Sequence, residues 1–162
     1  MIRMLINNHT GINLVGLSDR LKITTHRNSD RLPVIDADGM QMRQILQNLI
    51  GNALKFRQED VAPLVQVRSQ ILTKLGEEYC EIRVIDNGIG FEQKYTDRIF
   101  QIFQRLHGRG TYEGTGIGLA ICRKIAERHG GSLVAESAPN QGATFIFTMP
   151  IHQPTGDAHN AH

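Results

Sequence analysis

Apolar and polar residues follow two periodicities along this chain, and each periodicity indicates a type of element. Helical spacing predicts a helix over residues 38–56, begun by Asp38 as N-cap with Gln41 at the capping-box position. A second helix is predicted over residues 119–129. The apolar positions predicted to face the core are Met42, Ile45, Leu46, Leu49, Ala53 and Phe56 in the first helix, and Ala120, Ile121, Ile125 and Ala126 in the second.

Alternation of apolar and polar residues predicts strands in the rest of the chain. The predicted strands are residues 22–26, 65–73, 79–85, 132–137 and 143–149. Turn residues separate the second strand from the third and the fourth from the fifth, so each of these pairs is predicted to form a hairpin. In the third strand Glu81 and Arg83 alternate with apolar residues, which indicates a sheet with one covered face and one wetter face.

These elements predict an α+β fold, a two-layer α/β sandwich in which a mixed sheet carries its helices on one face. We expect residues 22–150 to form one domain. Residues 1–21 are less legible and are expected to be a linker remnant or an N-terminal helix, although Gly11 and Gly16 weaken a continuous helix. Residues 151–162 are expected to be a disordered polar tail.

Composition excludes several classes of function. The 162 residues, 40% of them hydrophobic and 21% charged, suit one globular domain with one core. A net charge of +2 without a long basic run gives no case for a nucleic-acid partner. Because no apolar run approaches the ~20 residues of a membrane span, and no signal peptide is evident, we expect a cytoplasmic domain without direct membrane contact. A parent protein anchored elsewhere in a membrane is compatible with this. Cys80 and Cys122 lack metal-ligand spacing and are expected to be small buried residues.

Two glycine-rich stretches carry the first sign of chemistry. Asp86 ends a predicted strand and is followed by Gly88 and Gly90, so its carboxylate can accept a hydrogen bond from an exocyclic amine while the backbone approaches a flat ligand. Residues 114–119 form a glycine loop that opens into the second helix, and such a helix N-terminus binds phosphates. Each stretch alone is weak evidence, but together they suggest adenine at one end and phosphate at the other.

The first helix carries a polar stripe beside its apolar one, formed by Gln44, Asn48, Asn52 and Lys55. Taken alone, such a stripe is typical of a solvated face. With both glycine stretches present, a functional interpretation is favoured, because an Asn carbonyl suits Mg²⁺ whose other ligands are water and substrate phosphates.

Four segments of the sequence resemble the conserved boxes of sensor histidine kinases, in the family's order. Residues 44–56 resemble the N box, residues 86–91 the first glycine box, residues 99–106 the F box and residues 114–120 the second glycine box. The resemblance covers about residues 34–150, and the run from Phe103 to His129 is most similar to the phytochrome-like group. It implies a Bergerat-type ATP-binding fold, shared with gyrase, the mismatch-repair ATPases and a heat-shock chaperone.

The resemblance also implies a role for each matching residue, with ATP and Mg²⁺ as cofactors. Asp86 would bind the adenine amine, with Gly88 and Gly90 allowing close approach of the base. Asn52 would ligate Mg²⁺. The residues implied near the phosphates as catalytic groups are Asn48, Lys55 and Arg105. The residues implied to line the triphosphate with backbone N–H groups are Gly114, Thr115, Gly116, Gly118 and Leu119. Thr144 would complete a water network around Asp86.

The implied activity is transfer of the ATP γ-phosphoryl group to a histidine. The resemblance places that histidine on a separate dimerisation and phosphoacceptor domain of the same parent kinase. A response regulator is the implied downstream partner in two-component signalling. None of the seven histidines precedes an acidic residue as that acceptor does, and His129 is interpreted as a cation near a helix C-terminus. The chain is therefore expected to be the catalytic domain alone.

Three alternatives stay open: an ATPase of the same fold, a serine kinase of the anti-sigma type and a degenerate nucleotide-binding module that only scaffolds partners. Residues 42–55 hold no acidic residue to activate water, which disfavours the ATPase. The F box and a long polar segment favour the histidine kinase over the serine kinase. Because the N box and both glycine boxes are intact, a module that only scaffolds partners is disfavoured.

Residues 104–113, rich in polar residues and glycine, are expected to be a lid that is disordered without nucleotide and ordered by ATP with Mg²⁺.

Overall fold

The elements of the chain follow the predicted order closely. The computed structural model describes residues 2–3, 22–27, 35–102 and 116–152. The elements are β1 (Ile2–Arg3), β2 (Lys22–Arg27), β3 (Asp36–Ala37), α1 (Gly39–Lys55), β4 (Leu64–Lys74), β5 (Glu77–Asp86), a 3₁₀ turn (Gln93–Tyr95), α2 (Thr96–Ile99), α3 (Gly118–Arg128), β6 (Ser132–Ser137) and β7 (Ala143–Pro150).

Within the described residues, five strands form one mixed sheet in the order β2-β4-β5-β7-β6. β2 and β4 run parallel, and the other neighbouring strands pair antiparallel. The helices pack on one face, as predicted, because the strands direct alternate apolar residues towards α1 and α3. Both hairpins are present, since β5 follows β4 and β7 follows β6 through short turns.

β1 corrects one part of the expectation for the start of the chain. Ile2 and Arg3 are not helical but pair antiparallel with Ala37 and Asp36 of β3, because this pairing satisfies their backbone groups. Residues 4–21 and 153–162, on which the expected linker or helix and the expected tail rest, lie outside the described residues. Within the described ranges, no helix has the length and apolar character that a bilayer crossing requires.

The helices contribute the layer that covers the sheet. The buried residues of α1 are Met42, Ile45, Leu46, Leu49, Ile50 and Ala53, in good agreement with the predicted stripe. In α3 the buried residues are Cys122, Ile125 and Ala126, whereas Ala120 and Ile121 are only half-buried. Both cysteines are buried and free, as expected, and burial raises the pKa of Cys80 to about 12 and that of Cys122 to about 11.

The start of α1 confirms the predicted N-cap but not the capping box. Asp38 Oδ1 accepts hydrogen bonds from the backbone N–H groups of Met40 (2.8 Å) and Gln41 (3.2 Å). In a capping box the Asp38 N–H would donate to the Gln41 side chain. Here it donates to His129 Nε2 at 3.3 Å instead. Gln41 Oε1 is buried and has no hydrogen-bond partner in the described part of the chain. The capping box was therefore wrong, because α3 brings a competing acceptor to this donor.

His129 is a buried contact between the end of α3 and the N-cap residue of α1. Its side chain is 8% exposed, and Nδ1 lies 2.8 Å from the carbonyl oxygen of Ile125. In the Nδ1–H tautomer, Nδ1 donates to that oxygen and Nε2 accepts from the Asp38 N–H, so both ring nitrogens have a partner.

The outer face of the sheet is less wet than the sequence predicted. Glu81, predicted to face water, is only 7% exposed. Its Oε1 accepts hydrogen bonds from Gln70 Nε2 and Arg83 Nε, each at 2.7 Å, so the buried carboxylate has partners. The alternation predicted the correct face for Glu81 but not its burial, which depends on how far its neighbours cover it.

Replacing Leu75 with asparagine is expected to stabilise the domain by about 1 kcal/mol. Leu75 and Gly76 form the two-residue turn between β4 and β5, and Leu75 adopts φ +52° with a fully exposed side chain. Asn tolerates this left-handed conformation better than Leu, and no buried contact is lost. The free energy of unfolding from urea titration measures the gain. Leu75→Ala, which keeps the backbone strain, is the control, and an Asn variant no more stable than the Ala variant would refute the explanation.

Candidate functional site

Asp86 lies at the end of β5, and its carboxylate is held by the backbone. Oδ1 accepts hydrogen bonds from the N–H of Gly88 at 2.8 Å and from the N–H of Ala143 at 3.2 Å. Both bonds reach the same oxygen, so Oδ2 takes no part in them. The carboxylate is thereby fixed in orientation, with one oxygen satisfied by the protein and the other turned away from these two donors.

The local environment shifts the protonation of this carboxyl. Burial raises the pKa of Asp86 above its ordinary value of 3.8, and the hydrogen bonds from Gly88 and Ala143 oppose this shift in part. A half-buried carboxylate of raised pKa, placed at a strand end beside glycines, is typical of a binding group rather than of a structural one.

Gly88 and Gly90 are required by the packing of the backbone itself. A side chain at Gly88 would strike the carbonyl oxygen of Phe56, the C-cap residue of α1. A side chain at Gly90, which has φ +60°, would strike the carbonyl oxygens of Ala138 and Gly142. The glycines therefore let the first glycine box, residues 86–91, lie directly against the end of α1 and the turn between β6 and β7.

Further hydrogen bonds fix the first glycine box on both sides. The Ile89 N–H donates to Phe56 O at 2.9 Å, and Ile89 O accepts from the Asn140 N–H at 2.7 Å. The Asn87 side chain accepts from the Leu64 N–H at 2.8 Å and donates to Ala62 O at 3.0 Å, which ties the box to the loop before β4. The box is thus held by α1, by the β4 loop and by the β6–β7 turn.

Ser137 and Gln58 were missed by sequence reasoning. The Ser137 hydroxyl accepts from the Phe91 N–H at 2.9 Å and donates to Gly142 O at 2.7 Å, so it joins the end of the box to the β6–β7 turn. Gln58 donates through Nε2 to carbonyl oxygens of the box. No motif signals either residue, because each one bonds to the first glycine box from a segment that is distant in sequence.

One residue of the polar stripe of α1, Asn48, lies beside the second glycine box. Gln44 is exposed, whereas Asn48, Asn52 and Lys55 are half-buried. A Cβ atom at Gly118, the first residue of α3, would lie 3.0 Å from Asn48 Oδ1. The Asn48 side chain also interacts with the Cys122 thiol. This interaction lowers the pKa of Cys122, but the larger effect of burial raises it. Asn48 therefore lies directly beside the N-terminal turn of α3.

α1 thus contacts the first glycine box at Phe56 and the second at Asn48. At 1.5 Å per residue, these two points lie about 12 Å apart along the helix axis. Asn52 and Lys55 occupy the stripe between them. The first glycine box, which contains Asp86, therefore lies at one end of this part of the stripe, and the N-terminal turn of α3 lies at the other.

The other predicted site residues are placed as follows. Gly116 precedes α3 with φ +72°, and Leu119 is half-buried in its first turn. Arg105, Gly114, Thr115 and the predicted lid, residues 104–113, lie outside the described residues. Thr144 pairs with Ile85, so the alternation of β7 places it on the sheet face opposite Ala143, whose N–H reaches Asp86. Its place in a water network remains a prediction.

The family to which this geometry belongs is identified by comparison with known proteins. Residues 37–153 match the family described as "Histidine kinase-, DNA gyrase B-, and HSP90-like ATPase". The chain belongs to this family. The match includes α1, both glycine boxes and the β6–β7 hairpin, so the elements that form the candidate site are those that the family shares.

Relatives of this ATPase-family domain include a cyanobacterial phytochrome and an adaptive-response sensory kinase. Cyanobacterial phytochrome A of Nostoc sp. (strain PCC 7120) is 49% identical over 122 residues, which are 75% of this chain and 15% of that protein. The adaptive-response sensory kinase SasA of Prochlorococcus marinus (strain MIT 9303) is 38% identical over 141 residues, 86% of this chain and 36% of SasA. These likenesses confirm the predicted resemblance, and the domain spans only a minor part of each relative.

Solved structures of histidine kinases share the fold. Full-length ShkA in complex with AMPPNP aligns with a TM-score of 0.67 and 31% identity, covering 83% of this chain and 26% of ShkA. The catalytic domain of histidine kinase ThkA, in a nucleotide-free form, aligns with a TM-score of 0.65 and 27% identity, covering 82% of this chain and 80% of that domain. The predicted α+β fold is confirmed by this likeness.

Proposed function

We propose that this domain binds ATP with Mg²⁺ and transfers the γ-phosphoryl group to a histidine of a phosphoacceptor domain in the same parent kinase. The observation that carries this proposal is the placement of α1, which contacts one glycine box at each end of a polar stripe. The likeness to histidine kinase catalytic domains supports the choice of reaction. The proposed location is the cytoplasm, where ATP is available.

Asp86 is the proposed adenine receptor. Its Oδ1 is held by two backbone N–H groups, so Oδ2 is the oxygen oriented to accept the exocyclic amine of the base. Because the carboxylate is half-buried, little water competes for that hydrogen bond. A guanine base presents a carbonyl oxygen at the corresponding position, so this geometry favours adenine.

Asn52 is the proposed protein ligand of Mg²⁺. Within residues 35–102 and 116–152, no group of three or more His, Cys, Asp or Glu side chains is arranged to hold a metal ion. A single amide oxygen fits a cation that arrives with its nucleotide, since Mg²⁺ retains water and phosphate oxygens as its other ligands. When bound, Mg²⁺ neutralises phosphate charge in phosphoryl transfer.

Groups of this chain would position the triphosphate for attack. The N-terminal turn of α3 offers backbone N–H groups, and Asn48 lies beside it. Lys55 and Arg105 are the proposed cationic contacts. A neutral imidazole nitrogen of the acceptor attacks the γ-phosphorus, the N–P bond forms, the bond to the β-phosphate oxygen breaks and ADP leaves. Further transfer to a response regulator is the proposed next step.

The proposal is tested by mixing the domain with a separately expressed phosphoacceptor domain and ATP labelled at the γ-phosphate. Label should appear on the acceptor in an acid-labile, base-stable bond, as a phosphohistidine requires. An acid-stable bond would indicate a serine kinase, and release of free phosphate without acceptor labelling would indicate an ATPase. Either outcome would refute the histidine kinase assignment.

ATP affinity is expected to fall on acidification through the pKa of Asp86, which burial places above 3.8. The ionised carboxylate accepts the amine, so a proton competes with adenine. The stability of the empty domain should change in the opposite sense: a raised carboxyl pKa contributes stability that is present at low pH and is lost as pH rises through that pKa. Calorimetric titration and thermal unfolding across this range measure both. Asp86→Asn should lose this pH dependence of ATP affinity and of stability. If that variant kept the pH profile of the wild type, Asp86 would be excluded as the source of the pH dependence.

A further inference from the structure

Gln58 lies just beyond the end of α1 and gathers three backbone carbonyl groups with one side-chain nitrogen. Its Nε2 is 2.9 Å from Asn87 O, 3.1 Å from Gly88 O and 3.4 Å from Asn140 O. Two of these carbonyls belong to the first glycine box and the third to the β6–β7 turn. A single side chain therefore joins the first glycine box, which contains Asp86, to the β6–β7 turn.

The surrounding hydrogen bonds explain why the Gln58 contact matters for adenine binding and not for the fold alone. Ile89, inside the box, is held by Phe56 O on one side and by the Asn140 N–H on the other. Gln58 joins the same two sides from the loop that follows α1. Asp86 takes its orientation from Gly88 and from Ala143, which follows the β6–β7 turn. A shift of the box against the turn would separate the two donors that fix the carboxylate.

We propose that Gln58 is a positioning residue for adenine recognition, and that its carboxamide holds the first glycine box and the β6–β7 turn in the register that aims Asp86 at the base. This inference rests on the proposed function, because it assumes that Asp86 receives adenine. Gln58 would not contact the nucleotide itself and would act through Asp86.

The chemistry of the contact indicates which substitutions preserve it. A primary amide has two N–H donors for three carbonyl oxygens, whereas an ammonium group has three. Gln58→Lys should therefore keep the segments together. Gln58→Met has a similar length but no donor, so it leaves the carbonyls without their partner.

The experiment compares ATP and GTP affinities of the domain by competition binding. Gln58→Met should weaken ATP binding about tenfold, the expected effect of leaving half-buried carbonyl groups unsatisfied, while GTP binding changes little. The ATP-to-GTP ratio should fall accordingly, and Gln58→Lys should restore most of it. Gln66→Met on the outer face of the sheet, where Gln66 accepts a hydrogen bond from Arg68, is the matched control and should leave the ratio unchanged.

Two outcomes would overturn the positioning role alone: a Met variant with the ATP affinity of the wild type, or equal losses for ATP and GTP, which would indicate a general structural role. Failure of the wild-type domain to bind ATP would overturn the proposed function and this inference with it. Should the Met variant fail to fold, Gln58→Asn serves instead, because it retains the amide but cannot reach all three carbonyls, and the same ratio decides.

Discussion

Asp86→Asn is expected to weaken ATP binding by about tenfold to a hundredfold while the domain stays folded, since a hydrogen bond to a charged group contributes about 1.5–3 kcal/mol. The backbone determines how the new amide lies. Its oxygen will take the place of Oδ1, where the N–H groups of Gly88 and Ala143 donate. The amide NH₂ then replaces Oδ2 and presents a donor to the amine of adenine, so both the charge and the acceptor are lost.

The same substitution should not reduce stability at neutral pH. Burial raises the pKa of Asp86, so the folded domain disfavours the ionised carboxylate, and a neutral amide removes that unfavourable term. Isothermal titration calorimetry and thermal unfolding measure the two effects. Asp97→Asn, an identical change at an exposed position of α2, is the control. Unchanged ATP affinity in the Asp86 variant would show that adenine recognition lies elsewhere.

Asn52→Ala is expected to remove most of the contribution of Mg²⁺ to ATP binding. Even residues that only orient metal ligands change metal affinity about 10- to 100-fold when mutated, so loss of a direct ligand should cost at least about tenfold in the presence of Mg²⁺. Without metal, ATP affinity should be nearly unchanged, because the amide then has no cation to bind.

The test of this prediction compares the ATP affinity of the same protein with and without Mg²⁺. ATP affinity is measured with excess Mg²⁺ and again with EDTA, for the wild type and for Asn52→Ala. Asn52 is half-buried on α1, so a purely structural loss would lower both values alike. Equal losses with and without metal would therefore assign Asn52 to packing or to phosphate contact and would leave Mg²⁺ without a ligand from α1.

Local patterns were sufficient for most of the elements and for the choice of Asp86 as the proposed adenine-binding group. The strands and α1 follow from periodicity, because one buried face at a fixed repeat is possible only in the matching secondary structure. Asp38 was recognisable as an N-cap because its partners lie two and three residues away. Asp86 was recognisable because the strand end, the carboxylate and the glycines are contiguous in sequence.

Contacts between distant segments were not predictable in the same way. Gln41 was the local partner for the Asp38 N–H, but His129 took that donor from 91 residues away. Glu81 was assigned to the correct face, yet its burial depends on neighbouring strands. Gln58 gave no signal at all, since its three acceptors lie about 30 and 82 residues further along the chain.

The sequence by itself determined the candidate site residues and most of the elements that carry them, and the tertiary structure decided which atoms the described candidates meet. The clearest case is the pairing of β5 with β7. Because Thr144 pairs with Ile85, the neighbouring Ala143 N–H lies where it can donate to the Asp86 carboxylate. A register shift of one residue would exchange the two sheet faces, and periodicity within a single strand contains no information about its register against a partner.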